Sequence, residues 1–530
     1  MAEHEVGQKM LLAFAGKQFT PQMQAALRDY RPAGVTLFRH LNVEHPAQVQ
    51  ALCADLQRAA RELGLPPLLI AADQEGGQLM AVGEGVTPLP GNMALGAAGS
   101  EALAEEAGTV LGRELAAMGV NVDYAPVCDV NINPRNPVIG SRSFGEDPQA
   151  VGRLAAAVIR GLQGAGVAAA AKHFPGHGDT DGDSHHGLPS VQHDLERLRR
   201  VAFPPFQAAV AAGVRMVMSA HVALPAVDGA DAPPATLSPR ILQGILRQEL
   251  GFEGVIVTDA MDMRAIRQGE ALGEDALRAV TAGVDLLLVT ADPQDQRRVF
   301  THLQQALRDG RLPVQALEAS LRRTAALRTW LAGFDAPDGS VVGCAAHQKT
   351  AETIAERALT RVRDHHGILP LHLGPEQRLG VVMPRPVDLT PADTSSYVTP
   401  QLAAELRKLH PHVEEICVGH NPSAEEIAEA LRRLEGCGAA VVGTLNAFAA
   451  PGQAELVRQA LRLPMPVVAA ALRLPYDLGV FPEAPVFVCT YSLLPPSMRA
   501  LARALMGQGD FWGRLPVSIE GLHPLGHGLI

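Results

Sequence analysis

The chain has no C-x-x-C pair: its six cysteines (Cys53, Cys128, Cys344, Cys417, Cys437 and Cys489) are scattered without regular spacing. That pattern argues against a zinc knuckle or a disulfide framework and suits reduced thiols in the cytoplasm. There is also no block rich in Lys and Arg, and the formal net charge is −11. A nucleic-acid or anionic-membrane partner demands a basic surface, so neither is expected. No apolar run is long enough to span a membrane, and the acidic start before the short run Met10–Ala15 does not have the form of a signal peptide. Glycine-rich phosphate loops are missing as well. Gly176-His-Gly178 lacks the spacing of a P-loop, and no G-x-G-x-x-G opens a helix after the first strand. No cofactor is expected.

What is present suits a large α/β protein. Of the 530 residues, 47% are hydrophobic and 19% charged, enough for substantial cores, and the length favours two domains. Eight short apolar runs, Met10–Ala15, Gly34–Phe38, Leu68–Ala72, Val120–Val127, Val167–Ala171, Met216–Ala220, Val255–Thr258 and Val284–Val289, alternate with helical patterns such as Glu101–Met118, Gln149–Gln163 and Ser238–Leu250. Repeated βα units of this number and size predict a TIM-like (β/α)8 barrel over residues 1–335. Turn formers gather at Gly333–Ser340 and mark its end. Beyond a helix at Ala345–Thr360, apolar runs at Leu379–Met383, Val413–Val418, Ala439–Thr444, Pro466–Ala471 and Val486–Thr490 predict an αβα sandwich over 345–530.

The richest chemistry lies at Lys172-His-Phe-Pro-Gly-His-Gly178 and Asp183-Ser-His185, directly after the fifth apolar run. His173 and His177 have the i, i+4 spacing of a helical metal site, but Pro175 and Gly176 between them argue against a helix, so no metal site is expected. Acid/base chemistry suits Asp183 and His185, because a carboxylate two residues before an imidazole can fix its tautomer and raise its basicity. Asp73, Asp129, Lys172, His221 and Asp259 each follow an apolar run and are expected on one rim of the barrel. Asp259 equally fits an N-cap for a helix starting at Ala260.

Together, Lys172-His-Phe-Pro-Gly-His-Gly178 with Asp183-Ser-His185, Asp73-Gln-Glu-Gly-Gly77, Arg142-Ser-Phe-Gly145 and Thr258-Asp-Ala-Met261 closely resemble the signature of glycoside hydrolase family 3 β-N-acetylglucosaminidases. The resemblance extends into the second domain through Arg473-Leu-Pro-Tyr-Asp-Leu478 and Gly513-Arg-Leu-Pro-Val517. It implies a retaining exo-glycosidase working by double displacement on a small carbohydrate. Asp259 would be the nucleophile, His185 the general acid/base and Asp183 its dyad partner. Asp73, Arg142, Lys172 and His173 would bind the terminal sugar.

Members that recycle peptidoglycan usually continue the first motif with Arg-Val and a second Arg, where this chain has Gln78-Leu-Met-Ala81. That departure implies a sugar subsite completed differently. The resemblance leaves a β-N-acetylglucosaminide phosphorylase or a β-glucosidase as alternatives on the same scaffold. An alternative of another class is a carbohydrate-binding protein without catalysis, in keeping with the two missing arginines.

Overall fold

The computed structural model describes residues 5–180, 182–184 and 187–529. Eight parallel strands form the first unit: β1 (Met10–Ala13), β2 (Gly34–Leu37), β3 (Leu69–Ala72), β4 (Val122–Asp123), β5 (Ala168–Phe174), β6 (Met216–Ser219), β7 (Val255–Thr258) and β8 (Leu287–Val289). Neighbours pair in sequence order and β8 pairs with β1. The bridge Val257↔Leu286 joins the last two, so the ring closes as a (β/α)8 barrel.

Strand periodicity explains how the barrel fills. Leu11, Leu69, Ala71, Ala168, Ala170, Met216, Met218, Val255 and Val257 pack together in one interior cluster. Their alternates, including Leu12, Ile70, Ala72, Ala169, Val217 and Ile256, pack with the helical shell. The run of alanines in β5 therefore contributes small side chains to both layers. At Gly34 the β2 backbone lies so close to β3 that a Cβ would sit 1.9 Å from the Leu69 carbonyl oxygen.

Two of the departures from the predicted strand extents bear on the site. The run 120–127 pairs regularly only at Val122–Asp123 and returns as a single bridge, Val127↔Lys172. Pro126 interrupts it, having no N–H to donate. By contrast, β5 runs on through Lys172 and His173, which were expected in the following loop, and its register against β6 shifts between Ala171 and Phe174. Such a shift breaks strict alternation. Both Lys172 and His173 thus reach the wall of the same cavity.

After the helix Ala345–Ala358 the second unit builds a six-stranded sheet: β9 (Thr360–Asp364), β10 (Arg378–Pro384), β11 (Val413–Val418), β12 (Cys437–Thr444), β13 (Val467–Ala471) and β14 (Val486–Cys489). The spatial order is β9-β14-β13-β12-β10-β11, parallel except for the antiparallel edge pair β9 and β14. Strand β9 starts at Thr360, where a helix was expected to end. The two units are stitched together by buried contacts: His347 Nδ1 meets Glu114 Oε1 at 2.8 Å, and the Tyr476 hydroxyl meets Asn131 Nδ2 at 3.0 Å. Both conserve hydrogen bonding for polar groups taken out of water.

Candidate active site

One cavity of about 800 Å³ opens at the C-terminal ends of the barrel strands, within the range of small-molecule sites. Asp73, Arg142, Lys172, His173 and Asp259 all line it. Asp73 follows β3, and Asp259 follows β7. Asp259 accepts a hydrogen bond from the Ala260 N–H at 2.7 Å. The helix considered at Ala260 does not form, since residues 260–268 are turns, bends and unassigned backbone; this removes the helix-cap reading of Asp259.

The cavity floor is a buried chain of charges. Lys172 Nζ lies 2.5 Å from Asp73 and 2.7 Å from Glu75. Arg142 grips Glu75 with two parallel bonds, Nη2 to Oε1 at 2.7 Å and Nε to Oε2 at 2.9 Å. Burial by itself would raise the Glu75 pKa, but the guanidinium of Arg142 and the ammonium of Lys172 outweigh it and hold it at about 2. Burial likewise opposes the charge on Lys172, and Asp73 and Glu75 overcome it, leaving the pKa raised. Both cations therefore stay charged and fixed.

A second chain continues from Arg142. Its Nη2 approaches His173 Nε2 at 3.4 Å, while His173 Nδ1 meets Asp129 Oδ2 at 2.7 Å. Asp129 also accepts the backbone N–H of His177 at 2.6 Å. His177 Nδ1 meets Thr180 Oγ1 at 2.7 Å, and its Nε2 meets Ser184 Oγ at 3.3 Å. Burial pushes the His177 imidazole down to about 4, so it is neutral near pH 7. The ring nitrogens of both histidines are thus engaged by protein groups.

Asp183 and Ser184 are buried, and Ser184 reaches the cavity wall. The Ala265 N–H donates to the Ser184 carbonyl at 3.3 Å, tying this segment to the turns after β7. His185, expected as the acid/base, lies outside the described residues.

The expectation of one shared rim needs correction at two positions. Asp73, Lys172 and Asp259 line the cavity, whereas Asp129 and His221 are fully buried. Asp129 serves His173 and His177 from below, and His221 bonds Thr236 Oγ1 at 2.8 Å and the Ala260 carbonyl at 3.1 Å. Polar side chains so deeply buried require partners, and these satisfy that need.

Sequence reasoning missed Glu75, although it stands two residues from Asp73 inside a quoted motif. It also missed the second unit's part in the wall: Asp388, Thr390, Pro391, Ala392, Asp393, Thr394 and Tyr397 line the cavity opposite the barrel. Gln78, where an arginine was anticipated, docks that segment. Its carbonyl accepts from Thr394 N–H at 2.8 Å and Thr394 Oγ1 at 2.9 Å, and its Nε2 reaches the Ala392 carbonyl at 3.3 Å.

Residues 1–327 match the family model for the glycosyl hydrolase family 3 N terminal domain. The chain is 32% identical to "Beta-hexosaminidase A" of Pseudoalteromonas piscicida, covering 94% of this chain and 91% of that protein. It is 40% identical to "Beta-hexosaminidase" of Pseudomonas aeruginosa over 56% of this chain and 86% of the relative. Among solved structures, a glycoside hydrolase family 3 β-N-acetylglucosaminidase from Paenibacillus sp. str. FPU-7 superposes with a TM-score of 0.92 at 38% identity, covering 98% of this chain and 99% of that one. The chain belongs to glycosyl hydrolase family 3.

Proposed function

We propose that this protein is a retaining exo-β-N-acetylglucosaminidase, with a catalytic barrel over 1–335 and a second unit over 345–530. The observation that carries this reading is the meeting of Asp259 with Asp73, Arg142, Lys172 and His173 in one cavity, together with relatives named for hexosaminidase activity. Asp259 attacks the anomeric carbon, and the bond to the leaving oxygen breaks as His185, paired with Asp183, delivers a proton to it. The positive charge that develops on the ring is offset by the Asp259 carboxylate, which then captures it as a glycosyl-enzyme. Water, deprotonated by His185, releases the sugar and restores Asp259.

Lys172 and Arg142 are locked as cations by Glu75, so they hold the sugar hydroxyls as donors and cannot take up the proton. No cofactor enters this scheme. Among the described residues seven aspartates line the cavity together with Arg39, Arg142 and Lys172, and two of the seven, Asp295 and Asp393, are paired with Arg298 and Arg473. All six cysteines are free, which supports a cytoplasmic setting.

The test is Asp259→Asn on p-nitrophenyl β-N-acetylglucosaminide. Turnover is expected to fall by about 10³-fold or more, with the circular dichroism spectrum and urea midpoint preserved. Undiminished turnover in a folded variant overturns the assignment.

A further inference from the structure

The barrel has a second cavity, of about 260 Å³, at the end opposite the catalytic one. Its walls are residues just before β3, β4 and β5 (Leu68, Asn121 and Gly166) and the tail 332–336 that follows the helix Val314–Leu331. Chemistry in this fold belongs to the strand ends, so a pocket at the strand starts is a place to bind. A cavity of about 150 Å³ already takes a benzene ring, and this one therefore has room for a ring with a short polar chain.

Phe334 supplies the apolar wall. It lies against the backbone of Gly166, where a Cβ would stand 2.7 Å from the Phe334 Cβ, and it packs edge-on to Trp330 with ring centroids 5.0 Å apart. Arg215 covers Trp330 in turn, its guanidinium 4.7 Å from the ring centroid. The phenyl group is thus fixed in place yet 39% exposed. An apolar ligand that covers it gains the free energy of taking that surface out of water.

Arg328 is the one cation lining this cavity among the described residues. Its Nε donates to the Pro67 carbonyl at 2.9 Å, and its Nη2 donates to Gln8 Oε1 at 2.9 Å and to the Ala33 carbonyl at 3.0 Å. All three acceptors are neutral, and no carboxylate pairs with the guanidinium among the described residues. Burial accordingly pushes its pKa down to about 10, with no anion to oppose the shift. A half-buried cation without a counter-charge carries a desolvation cost that an anion entering the cavity offsets. Asp335, exposed on the same wall, adds one negative charge and so disfavours a dianion.

We propose that this cavity is a second ligand site, separate from the catalytic one, for a small molecule that carries a single carboxylate on an apolar body. Arg328 donates to the carboxylate, and Phe334 covers the body. Bound there, the ligand joins the tail 332–336 to the starts of three strands, and that tail leads into the second unit.

The test is isothermal titration of the full chain with 3-phenylpropanoate, which is expected to fill one site with a Kd of about 1 mM or tighter. The amide 3-phenylpropanamide, of the same shape without the charge, is expected to bind at least about tenfold more weakly. Equal affinities overturn the role of Arg328, and no saturation by about 20 mM acid overturns the site. Arg328→Met keeps an apolar stem, loses the cation and is expected to weaken binding of the acid at least about tenfold. Because Arg328 also braces Pro67 and Ala33, a second variant leaves those bonds alone: Ala336→Trp, at an exposed position of the tail, narrows the cavity. It is expected to keep the wild-type urea midpoint without ligand, to bind the acid about tenfold more weakly, and to lose the rise in midpoint that the acid gives the wild-type protein. Undiminished binding in a folded Ala336→Trp protein puts the acid elsewhere and overturns the proposal.

Discussion

Glu75→Gln isolates what holds the sugar-binding cations. The substitution keeps the shape of the side chain and removes one negative charge from a spot where Glu75, Arg142 and Lys172 have side chains 1%, 4% and 1% exposed. Opposite charges 2.7 Å apart attract by about 6 kcal/mol at an effective dielectric constant near 20. The desolvation cost of the two cations persists when the carboxylate goes. Removing one partner of a buried pair typically costs about 3–5 kcal/mol, and that is the loss expected here. Asp73 remains as a partial partner for Lys172, which favours the lower end of that range.

Urea unfolding gives the stability change, and kcat/KM on the p-nitrophenyl substrate reports the displaced cations, with a fall of about 10²-fold expected. Pairing Glu75→Gln with Arg142→Met completes a double-mutant cycle. The double variant is expected to be at least about 2 kcal/mol more stable than the two single losses added together, since the second change removes a charge the first left unpaired. Additive losses, or a Glu75→Gln protein with wild-type midpoint and kcat/KM, would refute the reasoning.

Two further outcomes follow from the geometry. His177 is held at about 4, below its ordinary value of 6.5, chiefly by burial, so the unfolded chain takes up a proton that the folded one refuses. Its contribution to stability is complete above pH 6.5 and is lost as pH falls through 4, on the order of 3 kcal/mol in all; in His177→Gln the difference between urea midpoints at pH 7 and pH 4.5 should shrink, and an unchanged difference would reject the assignment. Gly34→Ala places a Cβ 1.9 Å from the Leu69 carbonyl oxygen between β2 and β3. A loss of about 3 kcal/mol is expected from the forced separation of the strands, and a wild-type urea midpoint would contradict it.

Periodicity made the barrel legible. Each of the eight apolar runs overlaps one of β1 to β8, because a strand buried on both faces needs apolar side chains at nearly every position whatever surrounds it. The same local logic brought Asp73 and Asp259 to the strand ends. It failed at Thr360–Asp364, where two arginines in five residues hide an edge strand whose pairing with β14 supplies the missing stability.

The sequence by itself determined the strand frame, the order of the polar residues along it and the family signature. Only the tertiary structure decided which of those residues face the cavity. Asp129 and Asp259 both follow apolar runs, yet one is buried under two histidines and the other reaches the cavity wall. The depth of the surrounding side chains makes that difference, and it is not a local property of the chain. The arrival of Tyr397 from the second unit is further still from local reading. It depends on Arg473 holding Asp393 and on Gln78 receiving Thr394, contacts that span 80 and 316 residues. Contacts at such separations are chosen by how two cores pack, and hydrophobic periodicity records only which side of each element is buried.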